Sequence, residues 1–169
     1  QEMADAEGLQ LVRVQHHHAH AAALMAEHGL SDISAATCDG YGYGSDGAAW
    51  GGEILHCTAN SAEFRRLGHL ESQPLLGGDL ASRYPMRVVA GILKKTDINV
   101  EDWLNNNSQH LPHGKTEAQF IVDQLKTGTG AVDTSSCGRI LDAAAAILGI
   151  CFERSYEGEP AMKLESTAL

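Results

Sequence analysis

Basic residues are scarce in this chain. Lys plus Arg number 12 against 22 Asp plus Glu, a formal charge of −10 over 169 residues. A surface that acidic repels phosphate backbones, which argues against nucleic-acid binding, and it offers no basic patch to an anionic membrane. Long apolar runs are missing too. The longest, Ala143 to Phe152, is interrupted by Gly149 and falls far short of the ~20 residues that cross a bilayer. No basic-then-apolar leader opens the chain. The four cysteines (Cys38, Cys57, Cys137, Cys151) include no C-x-x-C pair, so neither a disulfide framework nor a zinc knuckle is expected. Buried thiols in a reducing compartment, and hence a cytoplasmic address, are the expectation. There is no G-x-S-x-G elbow, no Gly-Lys-Ser/Thr phosphate loop, no Rossmann glycine spacing and no internal repeat.

What is present is enough for one domain with a real core: hydrophobic residues make up 43%. The first residue is Gln1, and Leu164 to Leu169 reads as a helix in mid-course, so an excised piece of a longer protein is expected. Leu11 to Gln15 alternates as a short strand would. His17 to His28 is rich in Ala, Leu, Met and Glu and is closed by Gly29, which predicts a helix with a glycine C-cap. Ile33 to Cys38 reads as a buried strand broken by Gly40. Trp50 to Ala59 and Phe64 to Glu71 read as antiparallel neighbours. Asp79 is expected to cap a helix running to about Leu93, and Val100 to His113, polar and centred on Asn105 to Asn107, is expected to be surface. Helical spacing marks Thr116 to Leu125 and Ser136 to Leu148, with Ile140, Ala144, Ile147 and Leu148 on one face of the latter. Helices around a few strands make an α/β or α+β chain.

Two clusters carry the chemistry. In Gln15-His16-His17-His18-Ala19-His20, His16 and His20 are one helical turn apart and project from one face, the geometry by which two imidazoles grip a metal ion. His17 and His18 point elsewhere, as supporting or surface groups. A solvated or core-lining histidine cluster is the competing reading. In Asp39-Gly40-Tyr41-Gly42-Tyr43-Gly44, alternate glycines let backbone amides come close to an anion, and Asp39 at a strand end can complete a metal site. A glycine-rich turn is the alternative. Glu53 reads as a charged edge-strand residue, and Arg83 and Arg87 as an exposed salt-bridged face. Asp142 interrupts an apolar stripe and needs a partner, either a ligand hydroxyl or Arg139.

Val14 to His20, Met25 to Gly29, Asp39 to Gly44, Trp50-Gly51-Gly52-Glu53, Gly77 to Ala81, Ser135 to Arg139 and Tyr156-Glu157-Gly158 occur in that order. Together they resemble the carboxy-terminal region of the HypF carbamoyltransferases of nickel–iron hydrogenase maturation. The resemblance implies a partial actin-like, ribonuclease H-like domain with a mixed sheet and surrounding helices. This chain would span its first lobe plus a helical segment, the second lobe lying outside it. It implies an enzyme that makes carbamoyladenylate from carbamoyl phosphate and ATP, then passes the carbamoyl group to the C-terminal cysteine of HypE for cyanide synthesis. It further implies a divalent metal, zinc or iron, on His16, His20 and Asp39, with Gly40, Gly42 and Gly44 beside the phosphate and Asp142 and Gly158 near the nucleoside. Tyr41, Leu76, Met86 and Lys163 depart from the family pattern. The fragment alone is expected to turn over little, and its exposed half-domain could pair as a homodimer. The competing reading is a non-catalytic interaction module with a structural histidine cluster.

Overall fold

In the computed structural model, which describes residues 2–59 and 61–168, a long hairpin organises the chain. Strands β1 (Asp32–Tyr43) and β2 (Ala49–Thr58) pair antiparallel, and β3 (Phe64–His69) returns antiparallel along the other edge of β2. That edge is shared. Its beginning, at Ala49, pairs in parallel with Thr134 of β5 (Ala131–Thr134), whose far side pairs antiparallel with β4 (Gln73–Leu76). The result is a mixed five-stranded sheet with helices packed against it. The expected mixed α/β architecture is what forms.

Helix α1 (Glu2–Ala6) precedes α2 (His16–His28), which packs on the hairpin through Ala21 and Met25 against Trp50, Leu55 and Cys57. Gly29 ends α2 at φ 63°, the left-handed conformation expected of its C-cap. A second, larger core lies between β4 and four helices: α4 (Met86–Leu93), α5 (Val100–Asn106), α6 (Gly114–Thr127) and α7 (Cys137–Ile147). Close packing there depends on Gly91, where a Cβ would sit 2.3 Å from the Pro74 carbonyl oxygen.

Several local expectations are corrected. Leu11 to Gln15 forms no strand, because Gln15 is committed to capping α2. Strand β1 does not break at Gly40; it runs to Tyr43 with a register irregularity between Cys38 and Gly42, and its exposure alternates because only one face, carrying Ile33 and Ala35, packs on a core. The helix expected from Asp79 to Leu93 is two, α3 (Asp79–Arg83) and α4, since Pro85 supplies no N–H to continue the first. Gly78, not Asp79, holds the cap position. The polar stretch after Val100 folds into α5 and a 3-10 turn (Ser108–His110), capped by Asn99 and anchored by buried Leu104 and Leu111. Helix α8 (Glu159–Ala168) matches the helical reading of the tail, while Leu169 lies outside the described residues.

The buried face of α7 is the opposite of the one the apolar spacing suggests. Ile147 and Leu148 are exposed, whereas Arg139, Asp142, Ala143 and Ala146 face inward. Small residues win that face where α7 packs against α4 and the larger core, and at its start, where Gly138 lies on the backbone of β1. Arg87 also departs from expectation. It is buried, donating to Glu117 Oε1 from Nη2 (2.7 Å) and Nε (3.0 Å), and to Gln124 Oε1 (3.1 Å). Arg83 is the exposed one, paired with Glu153.

A buried pair punishes the loss of one partner more than the loss of both. Glu117→Ala should therefore lower unfolding free energy by about 3 kcal/mol in urea titrations, and Arg87→Met with Glu117→Met should recover most of that loss.

Candidate active site

Gln15 begins the site by ending the coil before α2. Its extended backbone (φ −66°, ψ 136°) and its side-chain oxygen, which accepts the His18 N–H at 2.9 Å, start the helix at His16. His16 and His20 then stand on one face, with Nε2 atoms 3.3 Å apart and rings edge-on at 4.6 Å. Asp39 reaches them from β1, its Oδ2 lying 2.8 Å from His16 Nε2. The other oxygen, Oδ1, accepts the Gly40 N–H at 2.6 Å. His16 thus touches both Asp39 and His20.

His17 and His18 are not surface groups. His17 is fully buried over Trp50, with Nε2 3.5 Å from Asp39 Oδ2, and His18 packs against Phe64. Burial holds the His17 pKa below the ordinary 6.5, against the pull of the Asp39 carboxylate.

On its other side Asp39 lines a cleft of about 510 Å³ together with Gly40, Arg139, Asp142 and Gly158. Ser136, at the N-terminus of α7, donates to the carbonyls of Asp39 (3.0 Å) and Gly40 (2.8 Å), pinning the helix to the strand. Gly138 permits this, since a Cβ there would lie 2.9 Å from Gly40 Cα. Asp142 finds the partner expected of it: Arg139 Nη2 approaches its Oδ2 to 2.8 Å. The pair is close but poorly aligned for hydrogen bonding, so Asp142 Oδ2 and Arg139 Nε, both buried, have no hydrogen-bond partner among the described residues. Burial raises the Asp142 pKa and lowers that of Arg139, each opposed by the other's charge.

Two of the expected phosphate glycines are elsewhere. A Cβ on Gly42 would lie 2.4 Å from His17 Cε1 and 3.0 Å from His16 Cδ2, and one on Gly44 would lie 2.2 Å from Trp50 Nε1. These glycines make room for side chains of the site; neither lines the cleft.

Glu53 is a residue that the reading as an edge charge missed. It is 1% exposed, on the strand at the middle of the hairpin-and-β3 unit. Its Oε1 accepts the N–H groups of Gly51 (3.2 Å) and Gly52 (3.3 Å), and the Ser135 hydroxyl donates to the same oxygen. Its Oε2 accepts Arg66 Nε at 2.6 Å. The carboxylate thus fills the gap where the edge of β2 passes from β5 to β3. Burial by itself would raise its pKa, but the Arg66 and Ser135 hydrogen bonds outweigh it and hold the group below the ordinary 4.5. Two adjacent glycines before a lone acid were the available signal.

Residues 35–169 match the family model described as "Carbamoyltransferase, Kae1-like Domain, second subdomain". The chain belongs to the HypF carbamoyltransferase family. It is 40% identical, over 99% of its length and 22% of the relative's, to the probable carbamoyltransferase HypF of Methanocaldococcus jannaschii. To the carbamoyltransferase HypF homolog of Cupriavidus necator it is 41% identical, over 93% of this chain and 39% of the relative. Among solved structures, T. kodakarensis HypF superposes with a TM-score of 0.87 at 43% identity, covering 99% of this chain and 22% of that one. A full-length HypF solved in its phosphate- and nucleotide-bound form gives 0.82 at 38% identity, covering 94% and 24%. The chain therefore spans between about a fifth and two fifths of the HypF proteins it matches.

Gly42→Ala should push the His16 and His17 rings off the strand and cost about 2 kcal/mol in chemical denaturation, an overpacking penalty. Glu53→Gln should destabilise by about 3 kcal/mol at neutral pH. Because the folded pKa of Glu53 is lowered, its contribution is complete above about 4.5 and fades as pH falls through the folded value. The Glu53→Gln variant should lose that part of the acid limb in a pH series of melting temperatures.

Proposed function

We propose that this chain forms half of the carbamoyl-transfer site of a HypF protein, receiving carbamoyladenylate made from carbamoyl phosphate and ATP elsewhere in the parent. The carbamoyl group then passes to the C-terminal cysteine of HypE, toward the cyanide ligands of nickel–iron hydrogenase. One observation carries this reading. A single residue, Asp39, has one carboxylate oxygen against the His16 and His20 face and also lines the cleft that holds Gly40, Asp142 and Gly158. A group held by the histidines is thereby brought next to whatever fills the cleft.

Among the described residues no group of three or more His, Cys, Asp or Glu side chains is placed to hold a metal ion. Two of the donors, His16 and His20, nevertheless have the spacing of ligands to a small divalent ion. Ligand atoms around a tetrahedral zinc lie ~3.3 Å apart, which is the His16–His20 Nε2 separation of 3.3 Å. The shorter 2.8 Å contact of Asp39 is a hydrogen bond and needs to open by only a few tenths of an ångström. Such an ion, zinc or iron on His16, His20 and Asp39, would supply positive charge to the phosphate and polarise the carbamoyl carbonyl. Arg139, whose Nη2 lies 3.6 Å from where a Gly40 Cβ would be, sets a guanidinium beside the Asp39–Gly40 turn, in position to meet phosphate oxygens. Asp142, which lines the same cleft with its Oδ2 charge-paired to Arg139, would accept a nucleoside hydroxyl. Gly158 keeps the opposite wall low.

The test uses the full-length parent. His16→Ala and Asp39→Asn should cut carbamoylation of HypE on the order of 100-fold, while carbamoyl-phosphate-dependent cleavage of ATP to pyrophosphate continues. Unchanged HypE carbamoylation in both variants would instead favour an interaction module with a structural histidine cluster. The 169-residue chain by itself should show little or no transfer.

A further inference from the structure

We propose that Cys38 and Cys137 are a peroxide-sensitive thiol pair, a modification site that closes to a disulfide across the β1–α7 junction beside Asp39. Buried thiols are the expectation from sequence, yet Cys38 is exposed and Cys137 only half-buried. The alternation of the strand sets where Cys38 points. Ile33 and Ala35 pack with α2 on the smaller core, so Cys38, an odd number of residues further along, points to the opposite face. There it meets the start of α7. Ser136 donates to the Asp39 and Gly40 carbonyls, and a Cβ on Gly138 would lie 2.9 Å from Gly40 Cα. Cys137, between those two residues, is the first of the helix, and its thiol is hydrogen-bonded to that of Cys38. Both flanking residues are in contact with β1, so the two sulfurs are held together by backbone.

The other two cysteines are placed differently. Cys57 is buried in the core under α2, and Cys151 is buried with its Sγ donating to the Glu153 carbonyl at 3.3 Å. Hydrogen peroxide therefore meets the exposed Cys38 first. The O–O bond breaks as the Cys38 sulfur takes one oxygen, giving a sulfenic acid and water. The Cys137 sulfur then attacks that sulfur. The S–S bond forms, the S–O bond breaks, and hydroxide leaves with the thiol proton as a second water. Two thiols have lost two electrons, and one peroxide has gained them. Closing to a bond of about 2.05 Å draws Cys38 toward α7. Its neighbour Asp39 is placed by backbone contact, so the carboxylate shifts relative to the His16 ring, 2.8 Å away in the thiol form. In a reducing compartment the pair rests as thiols, and low-molecular-weight thiols reverse the bond. The consequence for transfer rests on the function proposed above; the disulfide does not.

The test treats the full-length parent with hydrogen peroxide, then blocks the remaining thiols with N-ethylmaleimide in denaturant. Trypsin with a glutamate-specific protease, which cuts at Glu53 between Cys38 and Cys57, separates the cysteine peptides for mass spectrometry. The expected result is the Cys38 peptide joined to the Cys137 peptide, two hydrogens lighter than their sum, with Cys57 and Cys151 blocked. Blocked Cys38 and Cys137, Cys38 carried on to sulfinic acid, or a bond to another cysteine overturns the proposal. Cys137→Ser provides a second check. Dimedone, which traps sulfenic acids, should label Cys38 in this variant and hardly at all in the wild-type parent. Equal labelling in both removes Cys137 as the second thiol and overturns the pair. Carbamoylation of HypE, started after the peroxide is removed, should fall on the order of 100-fold in the wild-type parent and return with dithiothreitol. The Cys137→Ser parent should keep most of its rate, and an equal loss there overturns the effect on transfer. Absence of transfer before oxidation counts against the proposed function, while the peptide map still decides the disulfide.

Discussion

The place of the Asp39 carboxylate depends on how closely strand β1 can approach β2 on one side and helix α7 on the other. A Cβ on Gly51 would stand 2.5 Å from the Asp39 carbonyl oxygen and 2.9 Å from Ser136 Cα. Gly138 imposes the same restriction from α7, and Gly42 imposes it where β1 meets the histidines. Two strand backbones and one helix start therefore converge on Asp39 and Gly40, while Gly42 leaves room for the histidine rings. The interior of a protein is packed too densely to absorb a methyl group there without displacement. A carboxylate placed by backbone contact has little room to wander, which is what a site needs when about half an ångström decides whether donors touch a common ion.

Glu53 makes that convergence possible on the sheet side. An edge shared by a parallel and an antiparallel neighbour leaves amides unpaired at the switch, and buried unpaired amides are costly. Glu53 accepts two of them, and Arg66, stacked 4.0 Å from the Trp50 ring centre, neutralises the charge. Trp50 in turn floors His17. The Trp-Gly-Gly-Glu block is thus the underside of the histidine cluster, a supporting part that contacts neither face of the cleft.

Much of this was legible where local chemistry decides the outcome. The one-turn spacing of His16 and His20, the helix formers between them and Gly29, and an acid at a strand position each act over a few residues. The convergence of Asp39 on that face, across 23 positions of sequence, followed from the family resemblance more than from spacing. What stayed hidden was tertiary. The small inward face of α7 is chosen by the helices it packs against, so the larger Ile147 and Leu148 mislead. The burial of Arg87 depends on Glu117, 30 residues away. Nothing in the run of four histidines marks His17 as the fully buried one. Pro85 was a readable stop signal that the apolar spacing around it overrode.

The charge of the cleft brings composition and site together. Asp39, Asp79, Asp142 and Glu157 line it against Arg139 and Arg154, so the acidity of the whole chain extends into the place where a nucleotide is proposed to sit. Phosphates approaching that lining meet more negative than positive charge, and the field is strengthened by the low polarisability of the walls. Arg139 cannot correct this by itself, because its charge is already engaged by Asp142 and penalised by burial. Arg154 makes no ion pair among the described residues and lies at the same cleft. One such guanidinium against a polyphosphate or an adenylate still leaves the balance unfavourable. On the proposed function, the balancing positive charge would enter with the ligand or sit beside Asp39, where His16 and His20 are the neighbouring lone-pair donors. On the function proposed for this cleft, the acidity of the chain would make nucleotide binding depend on an accompanying cation.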